Sequence, residues 1–219
     1  MASAVDICNL ALGHLGDDAT VSSINPPEGS AQAEHCQRFY PIARDMTLEA
    51  HEWGFATKRA NLALLTDTPP PGFTYVYQLP SDCRNVIDLV NPYTIVDVPH
   101  NGLHWHGYGY GNEPIPYELE TLANGTQAIY TNLAEAQIRY TFGVTDTTKF
   151  SAQFTDAVGW LLASYLAGPV IKGDVGMQVG QAMYKAYLAS LSQAKSNDAN
   201  NRRRSRSQAE QTPNWIANR

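Results

Sequence analysis

The stretch TDTPPPGFTYVYQLP, residues 66–80, separates two kinds of pattern in the sequence. Before it, apolar residues recur every three to four positions, as they do on one face of a helix. The three prolines and Gly72 exclude a regular element, and after them apolar and polar residues alternate, as in a β-strand. FTYVYQLP, NVIDLV and AQIRYTFG are predicted strands, and the dipeptide Asn124-Gly125 between two alternating runs predicts a hairpin. Residues 67–146 are therefore predicted to form an antiparallel β-rich module.

Upstream of this stretch, residues 1–66 are predicted to be the N-terminal helices of a bundle. The run SAVDICNLALGHL has one apolar face, and Ser3 followed by Asp6 fits a capping box. A second helix is predicted to begin at Ser30 and to continue through AQAEHCQRFYPIARDMTLEAHEW. The segment WGFATKRANLALL, residues 53–65, is predicted to be a turn and a short helix.

Helical periodicity returns at Phe150, in the run FSAQFTDAVGWLLASYLAGPVI, which is predicted to end at Gly168 and Pro169. A last helix is predicted over 174–196, with a packing side made of Met177, Ala182, Met183, Ala186, Tyr187 and Leu191. Residues 147–196 are thus the predicted C-terminal helices of the same bundle, because the apolar faces of the helices at the two ends of the chain must be buried against each other. The predicted core contains Trp53, Phe55, Phe154, Leu161 and Leu162. The predicted fold class is α+β, a helical bundle formed by the N- and C-terminal helices with an inserted antiparallel β-rich module and an extended C-terminal arm.

The arm, residues 197–219, is basic although the whole chain has a net charge of −6. Guanidinium groups bind carboxylates and phosphates, so the run NNRRRSRS favours an acidic protein surface or a nucleic acid as partner. Two apolar side chains near the end of this polar arm suit an anchor in a partner's pocket. We expect the arm to be disordered in the isolated subunit and to become ordered on its partner. The predicted docking residues are Arg202, Arg203, Arg204, Arg206, Trp215 and Ile216.

The segment HNGLHWHGYGYGNE, residues 100–113, concentrates histidines, glycines and aromatic residues. His104 and His106, two positions apart, would point the same way on a strand, as metal ligands do. A catalytic zinc also needs partners that orient its ligands, and a glycine-rich loop supplies none. We therefore predict a contact loop without a metal, which binds a neighbouring protein. Its predicted contact residues are His104, Trp105, His106, Tyr108 and Tyr110.

Enzyme signatures are absent from the sequence, which contains no nucleophile elbow, P-loop, zinc-protease motif or dinucleotide fingerprint. The chain is predicted not to be an enzyme and to need no cofactor. An alternative is a glycan hydrolase, because Glu118 and Glu120 share one face of a predicted strand and Asp97 lies upstream. A second alternative is a nucleic-acid-binding module that acts through 202–206. Cys8, Cys36 and Cys83 have no metal or redox spacing, and Cys8 and Cys36 are predicted to be buried free thiols.

The order of these patterns resembles the tail tubular protein A family of short-tailed bacteriophages, which is related to head-to-tail adaptors, also called connectors. The resemblance covers about 1–195 and rests on W-x-F-A-x-x-R-A at 53–60, L-P-x-D-C at 79–83 and F-x-x-A-x-x-x-x-L-A at 154–163. The loop 100–113 is the part least similar to the family.

The resemblance implies a structural virion protein at the head-to-tail interface, assembled in the host cytoplasm. Members of this family form a ring, commonly dodecameric, below the portal. The implied partners are the portal protein, on which the basic arm docks, and the next tail component or a neighbouring copy, which the loop 100–113 contacts. Genomic DNA passes through the ring without sequence-specific binding, and no membrane is involved. An acidic body agrees with such a role, because a negatively charged channel repels DNA and lets it slide during ejection.

Overall fold

The structure is a computed structural model that describes residues 2–90 and 114–201. It is an α+β fold in which the described chain divides into two compact units. One unit contains residues 2–47, 53–55 and 146–201, and the other contains 48–52 and 56–145 as far as they are described. The helices are α1 (Ala4–His14), α2 (Ala31–Glu49), α3 (Ala152–Ile171) and α4 (Gly173–Asn201). The strands are β1 (Thr57–Asn61), β2 (Ala63–Leu64), β3 (Tyr75–Gln78), β4 (Cys83–Val90), β5 (Tyr117–Thr121), β6 (Gln127–Thr131) and β7 (Gln137–Phe142).

Helix α1 begins where the sequence predicts. Ser3 is its N-cap, and the Ser3 side chain and the Asp6 side chain each accept the other residue's backbone N–H, which confirms the capping box. The loop after α1 is held back on the helix by Asn9, whose side-chain amide exchanges two hydrogen bonds with the backbone of Val21, at 3.0 and 2.7 Å. These contacts satisfy backbone groups that the loop would otherwise leave unpaired.

The core of the helical unit lies where α3 meets residues 53–55. Trp53 and Phe154 are fully buried, with ring centroids 5.0 Å apart in an edge-to-face contact. Phe55 is half-buried and its ring lies 5.0 Å from that of Phe154. The Trp53 indole donates to the carbonyl of Thr47 at 2.8 Å, so its one polar group is satisfied. The predicted burial of Trp53, Phe154, Leu161 and Leu162 is confirmed.

Two thiols meet in the same unit. Cys8 on α1 and Cys36 on α2 are free and buried, as predicted. A side-chain hydrogen bond with Cys36 and burial together raise the pKa of Cys8. The pair therefore acts as packing between α1 and α2.

The described part of the β unit forms two antiparallel sheets with strand orders β1-β7-β4 and β2-β3-β6-β5. A buried cluster is formed by both sheets and contains Tyr77, Val86, Leu89, Ile129, Ala136, Ile138 and Tyr140. The predicted hairpin is confirmed, since β5 pairs with β6 around a turn in which Gly125 has a φ of 82°. Glycine suits that turn because the left-handed region penalises residues with a Cβ.

Residues 57–64 differ from the prediction, because they form β1 and β2 and no helix beyond the short 3-10 turn Gly54–Ala56. The predicted short helix in 53–65 is wrong. Strand β1 pairs along its whole length with β7, from Thr57 opposite Thr141 to Asn61 opposite Gln137. Pairing with a strand about 80 residues away thus overrides the local pattern. The helical unit consequently ends before residue 66, the predicted boundary.

The last two helices also differ from their predicted limits. Helix α3 continues through Gly168 and Pro169 to Ile171 and is capped by Lys172, whose φ is 63°. Proline is tolerated there because a single lost hydrogen bond in the final turn disrupts little of the helix. On α4, Tyr187 and Leu191 are buried as predicted, but Met177 and Ala182 are exposed. The buried side of α4 includes Gly176, which the sequence pattern did not indicate and which lies against the backbone of α3.

By length and composition, α3 is the only helix among the described residues that is apolar enough to cross a membrane. Its tested window is 50% buried inside the protein. Core helices of soluble proteins meet the same criterion, and α3 carries the buried core described above.

Candidate interaction surfaces

Both predicted contact segments fall outside the described residues. The loop residues His104, Trp105, His106, Tyr108 and Tyr110 lie in 91–113, between β4 and β5. The arm residues Arg202, Arg203, Arg204, Arg206, Trp215 and Ile216 lie in 202–219, after α4. Their roles remain predictions, and the described structure defines the elements that flank them.

The base of the arm is helical. Residues 197–201, predicted to belong to an extended arm, continue α4 to Asn201, which corrects the predicted start of the arm. The Asp198 carboxylate accepts the backbone N–H of Gly54 at 3.1 Å. This bond holds the end of α4 against the segment that follows Trp53, so the arm leaves from a fixed position in the helical unit.

An exposed apolar face, here called the helical apolar face, spans three helices of the helical unit. Its exposed members are Ile42 and Met46 on α2 and Tyr184 and Leu188 on α4, and the half-buried Tyr165 on α3 lies beside Met46 and Tyr184. The Tyr165 hydroxyl donates to the Met46 sulfur at 2.8 Å, and burial together with the nearby Tyr184 raises the pKa of Tyr165. Exposures of 44% for Met46, 45% for Tyr184 and 48% for Leu188 show that these large side chains are open to solvent.

Sequence reasoning missed this face. Apolar periodicity alone places Met46 on the inner side of α2 and Tyr165 on the core side of α3. Methionine and tyrosine adapt to differently shaped partners, and they are enriched in protein interfaces. A contiguous exposed group of such side chains is typical of an interaction site.

The carboxylates of the hydrolase alternative lie on β5. Glu118 and Glu120 share one face of the strand, opposite Tyr130 and Ala128 of β6, as their spacing predicts. Both are exposed. The Tyr130 hydroxyl donates to the Glu120 carboxylate, and this bond raises the pKa of Tyr130. Asp97, the third residue of that alternative, lies outside the described residues.

A cleft of about 330 Å³ lies between β4 and the β5–β6 hairpin. Cys83 and Asn85 line it on the β4 side, and Leu119, Glu120 and Thr121 line it on the β5 side. Burial raises the pKa of the Cys83 thiol to about 11, so the thiol is protonated at neutral pH. The cleft therefore offers hydrogen-bonding groups and one acidic side chain, without an activated nucleophile from Cys83.

One ion pair joins β1 to the turn that precedes β4. The Asp82 carboxylate accepts from the Lys58 ammonium at 2.8 Å and from the Tyr140 hydroxyl at 2.9 Å. Both bonds hold the pKa of Asp82 below its usual value, and the bond from Lys58 has the larger effect. The Lys58 ammonium also lies 3.8 Å from the ring centroid of Phe142.

Histidines elsewhere in the described chain form no metal site. Within 2–90 and 114–201, no group of three or more His, Cys, Asp or Glu side chains is arranged to hold a metal ion. His14 instead stacks on Trp160, with centroids 3.6 Å apart and planes 8° from parallel. Burial lowers the pKa of His14, although Asp156 opposes this shift.

No protein-family model matches the chain, and no curated protein is similar enough to count as a relative.

Proposed function

We propose that the chain is a non-enzymatic structural protein of a phage virion, a head-to-tail adaptor that forms a ring below the portal. The observation that carries the proposal is the helical apolar face, whose large side chains are exposed although the unit has a complete core beside them. A ring subunit needs lateral and axial interfaces, and an exposed apolar face is expected of such a subunit. The resemblance to tail tubular proteins of short-tailed phages points the same way.

The charge distribution supports the same proposal. The described residues carry ten basic and eighteen acidic side chains, whereas 202–219 carry five arginines and one glutamate. An acidic body lets DNA pass without holding it. A basic arm with Trp215 and Ile216 near its end suits attachment to an acidic protein surface, the arginines attracting and the apolar pair anchoring. The loop with Trp105 and Tyr108 is assigned to the next tail component.

The test is the particle mass of the full chain, measured alone and with the portal protein of the same phage. We expect a ring-sized complex with the portal. Tyr184→Lys, which places a charge in the helical apolar face, is expected to weaken assembly, whereas Ala189→Lys, at an exposed position of α4 outside this face, is expected to leave it unchanged. Equal assembly of both variants would exclude this face as an interface, and no binding to the portal would refute the adaptor function.

The hydrolase alternative keeps one supporting observation, the shared face of Glu118 and Glu120. Zymography on peptidoglycan and on capsular glycans separates it from the adaptor function. The enzyme would be favoured if the wild-type chain cleared the glycan and if Glu118→Gln and Glu120→Gln each abolished this clearing. Salt-dependent DNA binding that is lost on removal of 202–219 would instead favour the nucleic-acid-binding module.

A further inference from the structure

The outer edge of β5 is open among the described residues. β5 is the last strand in the order β2-β3-β6-β5, and within 2–90 and 114–201 it pairs only with β6. Leu122 just beyond β5 donates its N–H to Thr126, so the hydrogen-bonded pairs that precede it are Glu120 with Ala128 and Glu118 with Tyr130. The backbone groups of Leu119 and Thr121 therefore point away from β6. Such an edge is a template for a further strand.

The neighbouring edge is a poor template by comparison. β4 is the edge strand of the other sheet, and its pairing with β7 shifts register between Cys83 and Asn85 and again between Val86 and Asp88. Bulges of this kind interrupt the regular ladder that an added strand needs. β5 pairs without interruption from Tyr117 to Thr121. The cleft between the two edges leaves space along β5, so a strand added here pairs with β5.

The side chains of β5 set the chemistry of such a strand. Glu118 and Glu120 are exposed on one face, and Leu119 is 52% exposed on the other. Arg84, the basic residue of the cleft, turns toward Gly143, with its Nε 3.1 Å from the position that a Gly143 Cβ would occupy. The charged side chains of β5 itself, Glu118 and Glu120, are both acidic and exposed, and they favour a strand with basic residues at alternate positions.

The chain contains one segment with this spacing. In the run RRRSRS from Arg202 to Ser207, the residues Arg202, Arg204 and Arg206 stand two positions apart, and an extended strand places them on one face. Glu118 and Glu120 are spaced by the same two positions. An added strand in register can thus set one arginine opposite each glutamate.

We propose that residues 202–206 of one copy add as an extended strand to β5 of a second copy, with arginines 202, 204 and 206 on the face of Glu118 and Glu120. This inference rests on the proposed function, because it names the acidic surface that the arginines of the arm bind in the ring. The backbone N–H and C=O groups of Leu119 and Thr121 form the hydrogen bonds with the added strand. Pairing of the glutamates with the arginines fixes the register of that strand. Trp215 and Ile216 lie farther along the arm and stay available for the portal.

The experiment measures self-association of the full chain by sedimentation velocity at low and high salt. We expect concentration-dependent association that weakens as salt rises, because the Arg–Glu pairs are exposed and screened. Glu118→Arg with Glu120→Arg is expected to weaken association at least about tenfold, since two favourable cross-strand pairs become repulsive. Combining these changes with Arg202→Glu and Arg204→Glu is expected to restore it.

Two further variants separate strand addition from a general charge effect. Leu119→Pro removes an N–H that points away from β6, so it leaves the β5–β6 pairing in place and is expected to abolish association. Arg203→Glu has the same charge change as Arg204→Glu but lies on the other face of the added strand, and it is expected to weaken association less. Circular dichroism of each variant checks that the fold is kept.

The outcomes separate this inference from the adaptor function. A chain that stays monomeric at about 100 μM in low salt, equal effects of Arg203→Glu and Arg204→Glu, or no rescue by the charge exchange would each overturn strand addition between copies. A concentration-independent contact of the arm with its own β5 would overturn it as well. Portal binding by the wild-type chain, measured separately, decides the adaptor function whichever result is obtained.

Discussion

Replacing Gly176 with alanine is expected to destabilise the helical unit, because α4 lies against the backbone of α3 at this position. A Cβ on Gly176 would lie 2.9 Å from the carbonyl oxygen of Ala167 and 3.5 Å from the Cα of Gly168. Ordinary carbon–oxygen contacts begin near 3.4 Å, so the two helices must separate by about 0.5 Å. Backbone atoms cannot turn aside as a side chain does, and overpacking of this kind costs about 1–3 kcal/mol.

Gly13→Ala is the matched control. Gly13 lies in α1, and a Cβ there meets nothing within 4 Å. Alanine gains about 1 kcal/mol over glycine inside a helix, and both variants share this gain. Gly13→Ala is therefore expected to stabilise the unit slightly, and the difference between the two variants isolates the packing cost of about 1–3 kcal/mol. Gly180→Ala, with a Cβ 3.2 Å from the Ser164 carbonyl oxygen, is expected to fall between them.

The assay is equilibrium unfolding in guanidinium chloride, followed by the circular dichroism of the helices. The expected order of midpoints is Gly13→Ala highest, Gly180→Ala next and Gly176→Ala lowest. If Gly176→Ala unfolded at the same midpoint as Gly13→Ala, the close approach of α4 to α3 would not limit the side chain at 176, and the reasoning would fail.

Three further outcomes are expected. Phe154→Ala should cost about 3–5 kcal/mol, because it empties the centre of the helical core; an unchanged melting temperature would contradict this. Burial lowers the pKa of His14, so its stabilising contribution is present above about pH 6.5 and is lost as pH falls; Trp160 fluorescence during unfolding should show this loss, and His14→Leu should remove it. The pKa of Asp82 is also lowered in the fold, so its contribution is present above about pH 4 and disappears in more acidic solution; wild type and Asp82→Asn, compared by unfolding across pH, should differ at pH 7 and converge in acid.

Local signals predicted the elements whose ends are fixed by neighbouring residues. The capping box of Ser3 and Asp6 marked the start of α1, and Asn124-Gly125 marked the turn between β5 and β6. The hydrogen bonds of the cap and the backbone conformation of the turn involve only residues a few positions apart. The shared face of Glu118 and Glu120 followed from strand periodicity in the same way.

Other features depend on partners that are distant in the chain. β1 is a strand because β7 pairs with it, and the residues TKRAN show too little alternation to reveal this. The helical apolar face joins Met46, Tyr165 and Tyr184 from three helices, so no single periodic pattern contains it. The edge position of β5 among the described strands is a property of strand order, which the sequence of β5 does not encode.

The insertion of the β unit between α2 and α3 has a consequence for synthesis on the ribosome. Helix α1 packs against α3, and about 140 residues separate His14 from Ala152. At about 5–20 residues per second, the nascent chain exposes the apolar side of α1 for roughly 10–30 s before α3 emerges. The β strands are all synthesised within that interval. Chaperones that bind apolar helices are therefore expected to engage α1 and α2 of the nascent chain until translation has passed α3.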